Sequence, residues 1–344
     1  MVFRSHPKKT MKFQAYQVDI RDGEQPVADF VERHIDDLPP GEVLIQVHYS
    51  SLNYKDHLSS IGHRGITRNY PHTPGVDAAG TVLESHDNRF KPGDEVLVTG
   101  YDLGMNTSGA YAQCIRVPAG WVVLLPEGLT GKDAMAYGTA GFTAGQCVEH
   151  LIRGGLFPQD GPVLVTGATG GVGSMAVAIL SKLGYDVSAA TRDLSNEPFL
   201  TSIGAKEVVD SESLVDNSSK PLLKSRWAGV VETVGGALLE TAIRSTQRRA
   251  TVTFCGMIAS PELNTSVFPF ILRGLRLIGI DSAECPLDLK EQLWGKLART
   301  WKPQTLSVLS HTLPWEEIPS QLEAIGLGKT QGRVVFAIPP LNSI

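Results

Sequence analysis

Thiols, long apolar runs and surplus positive charge are all scarce in this sequence, and each shortage closes off a class of function. The four cysteines among 344 residues, Cys114, Cys147, Cys255 and Cys285, lie far apart and form no C-x-x-C spacing. Neither a structural zinc site nor a disulfide framework is expected, and each thiol reads as a small buried apolar group. No uninterrupted apolar stretch approaches the roughly 18 residues of a membrane span. The formal net charge of -5 argues against a general nucleic-acid surface, which needs a basic footprint. Residues 1–10 carry Arg4, Lys8 and Lys9 but no signal-peptide core, whereas Met11-Lys12-Phe13 reads like a natural beginning. The first ten residues therefore read as a vector-derived leader or an upstream start, and the cytoplasm is the expected location.

What is present is length enough for two cores, and two kinds of patterning. In the first third, short strand candidates are bounded by prolines and glycines: Glu42 to Tyr49, Gly80 to Glu84 and Glu95 to Val98, with Ser51 to Asp56 as a loop. From Pro162 onward, apolar strand-like runs alternate with helix-length segments: Val163 to Val165, Gly171 to Leu183, Asp186 to Ala190, then Glu207 to Val209, Gly229 to Glu232, Thr251 to Phe254 and Leu275 to Ile280. That alternation predicts a parallel sheet with crossover helices. A helix-like stretch at Ile318 to Ile325 and a strand candidate at Gly332 to Phe336 return to the β-rich pattern of the first third. The α/β part thus reads as inserted into a β-rich one.

The stretch Pro162-Val-Leu-Val-Thr-Gly-Ala-Thr-Gly-Gly-Val-Gly-Ser174 is a strand, a glycine-rich turn and a helix start. Glycines let the backbone approach a pyrophosphate, and the helix N-terminus favours the anion, so Thr169, Gly170, Gly171 and Val172 are candidate phosphate contacts. Ala168 stands where the first glycine of the fingerprint is usual. At the end of the next strand, where an Asp or Glu would bind the ribose hydroxyls of NAD, the chain has Ala190-Thr191-Arg192. A guanidinium there suits a 2′-phosphate, which makes NADPH the expected cofactor; the adjacent Asp193 is the competing partner.

Together with Ser50-Ser-Leu-Asn-Tyr-Lys-Asp56, Tyr70-Pro71, Pro74-Gly-Val-Asp-Ala-Ala-Gly80, Arg89-Phe-Lys-Pro-Gly-Asp94, Gly138-Thr-Ala-Gly-Phe-Thr-Ala144, Pro269-Phe-Ile-Leu-Arg-Gly274, Gly279-Ile-Asp-Ser282 and Gln331-Gly-Arg333, these motifs resemble the medium-chain dehydrogenase/reductase superfamily. They are most similar to its zinc-free branch of acrylyl-CoA reductases and quinone-oxidoreductase-like proteins. The resemblance implies an α/β fold with a GroES-like β-rich catalytic domain, residues 11–138 and 302–344, and a doubly wound Rossmann domain, residues 139–301. It implies that Tyr54 faces nicotinamide and substrate, that Asn53 is a second catalytic candidate, and that Ser211, Met257, Ile271 and Ser282 line the rest of the cofactor groove. Zinc enzymes of the superfamily supply a Cys in the loop occupied by Asn53 to Asp56 and a His-Glu pair where this chain has Pro74-Gly-Val-Asp77. No metal is therefore expected.

The implied activity is NADPH-dependent reduction of an activated C=C bond, with an α,β-unsaturated acyl-CoA such as acrylyl-CoA as the favoured substrate. Reduction of a quinone, enone or enal is the alternative, and a non-catalytic NADPH-binding sensor is the reading from another class. Glu232 departs from the Asp usual at that position, and the loops Tyr101 to Gly109 and Ile258 to Pro261 differ from the family pattern. A homodimer through the edge strand at Leu275 to Ile280 is expected. His48, His57, His63 and His72 have no ligand spacing and read as structural or solvated.

Overall fold

The computed structural model describes residues 11–20 and 25–341. The expectation for residues 1–10 lies outside these. In chain order the strands are β1 (Lys12–Asp19), β2 (Val27–His34), β3 (Val43–Ser51), β4 (Asp77–Ser85), β5 (Glu95–Thr99), β6 (Cys114–Val117), β7 (Val122–Leu124), β8 (Val163–Val165), β9 (Val187–Thr191), β10 (Glu207–Asp210), β11 (Gly229–Glu232), β12 (Thr251–Phe254), β13 (Arg276–Gly279), β14 (Ser310–Pro314) and β15 (Arg333–Ala337). The helices are α1 (Tyr54–Ser60), α2 (Gly131–Arg153), α3 (Gly171–Lys182), α4 (Glu197–Ser202), α5 (Ser211–Leu214), α6 (Gly236–Ser245), α7 (Phe268–Arg273), α8 (Leu287–Ala298), α9 (Leu306–Leu309) and α10 (Ile318–Gly326). No helix among the described residues is long and apolar enough to cross a membrane.

The chain divides into two compact units. One comprises residues up to 125 with 313–328 and 335 onward; the other comprises 126–312 with 329–334.

In the first unit, β1 and β2 form an antiparallel hairpin that the sequence pattern did not reveal. The larger sheet follows the path β15-β3-β4-β5-β7, with β6 also on β3. Its strands alternate buried and partly exposed positions, as expected where one face is covered. The β3–β4 pair is drawn close at Gly80, where a Cβ would lie 1.9 Å from the Gln46 carbonyl oxygen, and its register shifts between Val47 and Tyr49. Phe13, Ala15, Leu38, Leu44, Ala112 and Cys114 form a core cluster. The segment Ser51 to Asp56, read from sequence as a loop, instead enters α1 at Tyr54. A run of Asn, Tyr, Lys and Asp has no apolar periodicity to announce a helix, and tertiary hydrogen bonds decide the matter.

The second unit carries a six-stranded parallel sheet in the order β10-β9-β8-β11-β12-β13. This is the doubly wound order 3-2-1-4-5-6, with the topological switch between β8 and β11. Both faces are covered, so Val163 to Val165 and Val187 to Thr191 are wholly buried apolar or small-residue runs. Leu164, Ala190, Trp227, Val230, Leu239, Ile243, Val252 and Leu275 form the core on one side. Helix α2 is capped by Thr130, whose side chain accepts from the Asp133 N–H, and Gly138 interrupts it with φ 52° and ψ -159°. Its small residues let neighbours approach: a Cβ on Gly145 would lie 3.3 Å from Leu293 and Leu297 of α8. Cys114, Cys147 and Cys285 are buried free thiols as expected, whereas Cys255 is only half-buried.

Candidate functional site

Most of the residues singled out from the sequence lie past the carboxyl ends of the parallel strands. Thr169 to Val172 follow β8, Arg192 follows β9, Ser211 follows β10, Met257 follows β12 and Ser282 follows β13. Ligands of open α/β sheets bind at this edge, around the switch point. Ile271 sits in α7, between β12 and β13 in sequence. Tyr54 and Asn53 belong to the other unit.

The glycine-rich turn owes its shape to two positions. Gly167 has φ 57°, and a Cβ there would lie 2.3 Å from Thr233 Oγ1. At Gly173 a Cβ would lie 2.2 Å from the Gly167 carbonyl oxygen, so only glycine lets α3 start so close to β8. Ala168 is tolerated because the left-handed conformation falls on Gly167; its methyl is fully buried and its N–H donates to the Ala190 carbonyl at 3.1 Å. That bond fastens the turn to the end of β9. Gly170 is exposed and supplies no side-chain cap to α3, which leaves the helix's first N–H groups to an anion.

Two supports for this turn were not foreseen. Glu232 is fully buried at the end of β11 and accepts from Thr166 Oγ1 at 3.0 Å, from Val234 N–H at 2.9 Å and from Gly235 N–H. Burial pushes its carboxyl upward against these three donors. Thr233 returns the link, donating its N–H to Thr166 Oγ1 and its hydroxyl to the Thr166 carbonyl. The switch point is thus laced by side chains. The motif Gln331-Gly-Arg333 supplies the second support: Gly332 N–H donates to the Thr169 carbonyl at 3.0 Å, and the buried Arg333 donates to the Ala136 carbonyl at 3.2 Å.

At the end of β9, Ala190 and Thr191 are buried and Arg192 is exposed. The neighbouring acids are turned elsewhere. Asp193 accepts from Ser195 N–H at 2.9 Å, and hydrogen bonds from the Ser195 hydroxyl first and then this N–H hold its carboxyl below its ordinary value; Asp210 accepts from Glu212 N–H at 3.1 Å. Among the described residues neither forms an ion pair with Arg192, so its guanidinium remains available. Ser211 is buried at the first position of α5, directly after β10, the strand paired with β9. Met257 and Ile271 are 71% and 72% exposed, an unusual display of apolar surface that a ligand could cover. Ser282 accepts from Thr143 Oγ1 at 2.7 Å.

In the first unit, Tyr54 opens α1 with Asn53 as its N-cap. Tyr54 is 44% exposed, its ring lies 5.7 Å from that of His57, and its hydroxyl has no hydrogen bond to the described residues. Asn53 is turned inward: Nδ2 donates to Asp77 Oδ2 at 2.7 Å and to Ser51 Oγ at 3.3 Å. Its N–H donates to Asp56 Oδ2 at 2.8 Å. Asp56 also accepts from the N–H groups of Gly75 and Val76, both at 3.1 Å, and from the Tyr111 hydroxyl at 3.0 Å. Burial first, then the Asp77 charge, pushes the Asp56 carboxyl up to about 7 despite these donors. Asp77 and Tyr111 therefore join the site. An acid inside the apolar run Val76-Asp77-Ala78-Ala79 was the one sequence signal for such a buried partner. His48 Nε2 lies 2.8 Å from Thr81 Oγ1, and the His57 ring is packed where a Cβ on Gly326 would be.

Among the described residues, no group of three or more His, Cys, Asp or Glu side chains is arranged to hold a metal ion. Residues 39–127 match the alcohol dehydrogenase GroES-like domain, and residues 171–299 match the zinc-binding dehydrogenase domain. The acrylyl-CoA reductase AcuI of Ruegeria pomeroyi is 44% identical over 302 residues, covering 88% of this chain and 92% of that protein. The Bacillus subtilis protein YhfP, named provisionally as a quinone oxidoreductase, is 43% identical over 317 residues, 90% of this chain and 96% of its own. Its crystal structure with NAD bound has a TM-score of 0.93 over 95% of this chain and all of that one, at 41% identity. The yhdH oxidoreductase of Salmonella enterica, solved with NADP, has a TM-score of 0.92 with 40% identity over 95% of this chain and 100% of its own.

Replacing Gly173 by Ala should force the glycine turn away from α3. Dinucleotide affinity measured by titration calorimetry should fall about tenfold or more, roughly 1.4 kcal/mol. Unchanged affinity would mean that the 2.2 Å approach is not what shapes the phosphate cradle.

Proposed function

This chain belongs to the zinc-free medium-chain dehydrogenase/reductase family, and from that premise we propose that it reduces an activated C=C bond with NADPH, an α,β-unsaturated acyl-CoA such as acrylyl-CoA being the favoured substrate. The observation that carries the cofactor is Arg192, an exposed guanidinium at the end of β9 without an acidic partner among the described residues. The orphan N–H groups at the start of α3 and the open edge at Gly170 fit the pyrophosphate. When bound, NADPH supplies the hydride.

The residues of the chain divide the remaining tasks. Thr169 to Val172 hold the pyrophosphate, and Ala190 to Arg192 with Ser211 hold the adenosine phosphate end. Met257, Ile271 and Ser282 line the rest of the groove. In an enoyl thioester, hydride addition at Cβ builds negative charge on the thioester oxygen, and Cα then takes a proton. The Tyr54 hydroxyl, without a hydrogen bond to the described residues, would donate a hydrogen bond to that charge or relay the proton. Asn53 is occupied by Asp77 and Ser51, so its part is to fix the start of α1 under Tyr54.

Similarity to AcuI supports the acyl-CoA reading, and similarity to YhfP supports the second reading, a quinone or enone reductase. Loss of nicotinamide absorbance should be faster with acrylyl-CoA than with a small quinone or enone at equal concentration. Turnover of the quinone alone would establish the second reading. No oxidation of bound NADPH by any of these electrophiles would leave a binding protein and defeat both.

Arg192→Ala should weaken NADPH binding by about 1–3 kcal/mol, the range for a lost charge-assisted hydrogen bond, and leave NADH nearly unchanged. Equal losses for the two nucleotides would contradict the assignment of the 2′-phosphate.

The edge strand β13 supports assembly as a homodimer. Arg276 and Ile280 donate their N–H groups to carbonyls of Ala250 and Phe254, so the alternate residues Leu277 and Gly279 face the unpaired side. Val267, Phe268 and Leu272 add exposed apolar surface on the preceding helix and its cap. Sedimentation equilibrium should give twice the mass of one chain. A single-chain mass at micromolar concentration would refute pairing through this edge.

A further inference from the structure

We propose that Asp56 and Asp77 act as one buried carboxyl pair that positions Tyr54, with Asp77 deciding how firmly the first turn of α1 is held. The proposal rests on the reading of Tyr54 as the residue that serves hydride transfer.

Both carboxyls are fully buried, and both accept from Asn53. Asp77 Oδ2 accepts from Ser51 Oγ at 2.5 Å and Asn53 Nδ2 at 2.7 Å, pinning the N-cap side chain. Asp56 accepts from the N-cap backbone at 2.8 Å, so the two acids grip the same residue from its side chain and its main chain. Tyr54 follows immediately as the first residue of α1. Its own ring touches only His57 among the described ring systems, so its place is inherited from Asn53.

The grip depends on protonation. Asp56 has four donors aimed at it: three backbone N–H groups, from Asn53, Gly75 and Val76, and the Tyr111 hydroxyl. An ionised carboxylate satisfies all four. A protonated one places its own O–H against a donor and must release at least one, the Asn53 N–H or the Tyr111 hydroxyl if the proton sits on Oδ2. The titratable groups facing Asp56 are Asp77 from β4 and Tyr111 from the segment before β6. Two like charges in one dry site resist joint ionisation, and burial acts in the same direction. Asp77 therefore holds the N-cap in place and at the same time makes the second clamp acid-sensitive.

Sign follows from this arrangement. Asp56 ionises near pH 7, so the clamp is complete above that pH and loosens as pH falls through it. Asp77→Asn keeps an oxygen for Ser51 and Asn53 but removes the charge, so Asp56 should ionise at lower pH.

Infrared difference spectra of the whole protein should show a protonated carboxyl band that disappears as pH rises through about 7 and is lost in Asp56→Asn. In Asp77→Asn its midpoint should fall by about one unit or more, the usual effect of removing a like charge. The Tyr54 ring signal in tyrosine-labelled NMR spectra, assigned with Tyr54→Phe, should move with the same midpoint in each protein. The acid limb of kcat/KM should shift with it. Absence of the band, or a midpoint unmoved by Asp77→Asn, would overturn the pair. A Tyr54 signal that ignores the titration would overturn the positioning role. Should Asp77→Asn not fold, Tyr111→Phe removes a hydroxyl that donates to Asp56 and holds its carboxyl down, so the same midpoint should move upward; no movement would count against the proposal. Spectroscopic success without turnover of any electrophile would instead defeat the reading of Tyr54 in hydride transfer.

Discussion

The nucleotide-binding unit depends on how closely α3 can approach the end of β8. That approach requires a left-handed residue at Gly167 and no side chain at Gly173, because the latter's hydrogen faces the Gly167 carbonyl at a distance no methyl could occupy. Once the helix starts there, its N–H groups converge on one point past the sheet. Everything else at that edge serves to keep the turn from opening. Glu232 and Thr233 lace β11 to β8, Ala168 bonds to β9, and Gly332 bonds to Thr169 from a remote part of the chain.

The first unit solves a different problem, holding a tyrosine at the start of a seven-residue helix. A short helix is marginal alone, and its N-cap must be fixed from outside. Buried acids do this with directional hydrogen bonds, and the cost is desolvation of charge. That cost is visible in Asp56, whose carboxyl is held near neutrality, while its four donors keep it useful as an acceptor. The same burial that makes the clamp stiff makes it responsive to pH.

Legibility in the sequence followed the range of the interactions involved. The parallel strands were readable because burial on both faces turns each into an apolar run such as Val163-Leu-Val165. The phosphate turn was readable because its requirements fall on neighbouring residues. Arg192 was readable as a position but not as a free charge: that needed Asp193 and Asp210 to be seen turned toward their own helix caps. Helix α1 was hidden, since its N-cap Asn53 is held by Asp77 and its Asp56 carboxylate by N–H donors about 20 positions away. The β1–β2 hairpin was hidden as well, because a polar strand such as Val27 to His34 carries little hydrophobic signal.

Composition and local pattern by themselves determined the β-rich and α/β parts, the parallel sheet with crossover helices of the inserted one, the place of the phosphate turn and the family that the motifs resemble. These properties arise from periodicity and from conformational needs of adjacent residues, which a linear string displays directly. Tertiary structure alone decided that Asn53 faces inward, that Tyr54 opens a helix, that Glu232 braces the switch point and that Asp56 and Asp77 share one buried site. Those outcomes depend on desolvation and on partners distant in sequence, and neither quantity exists until the chain has folded.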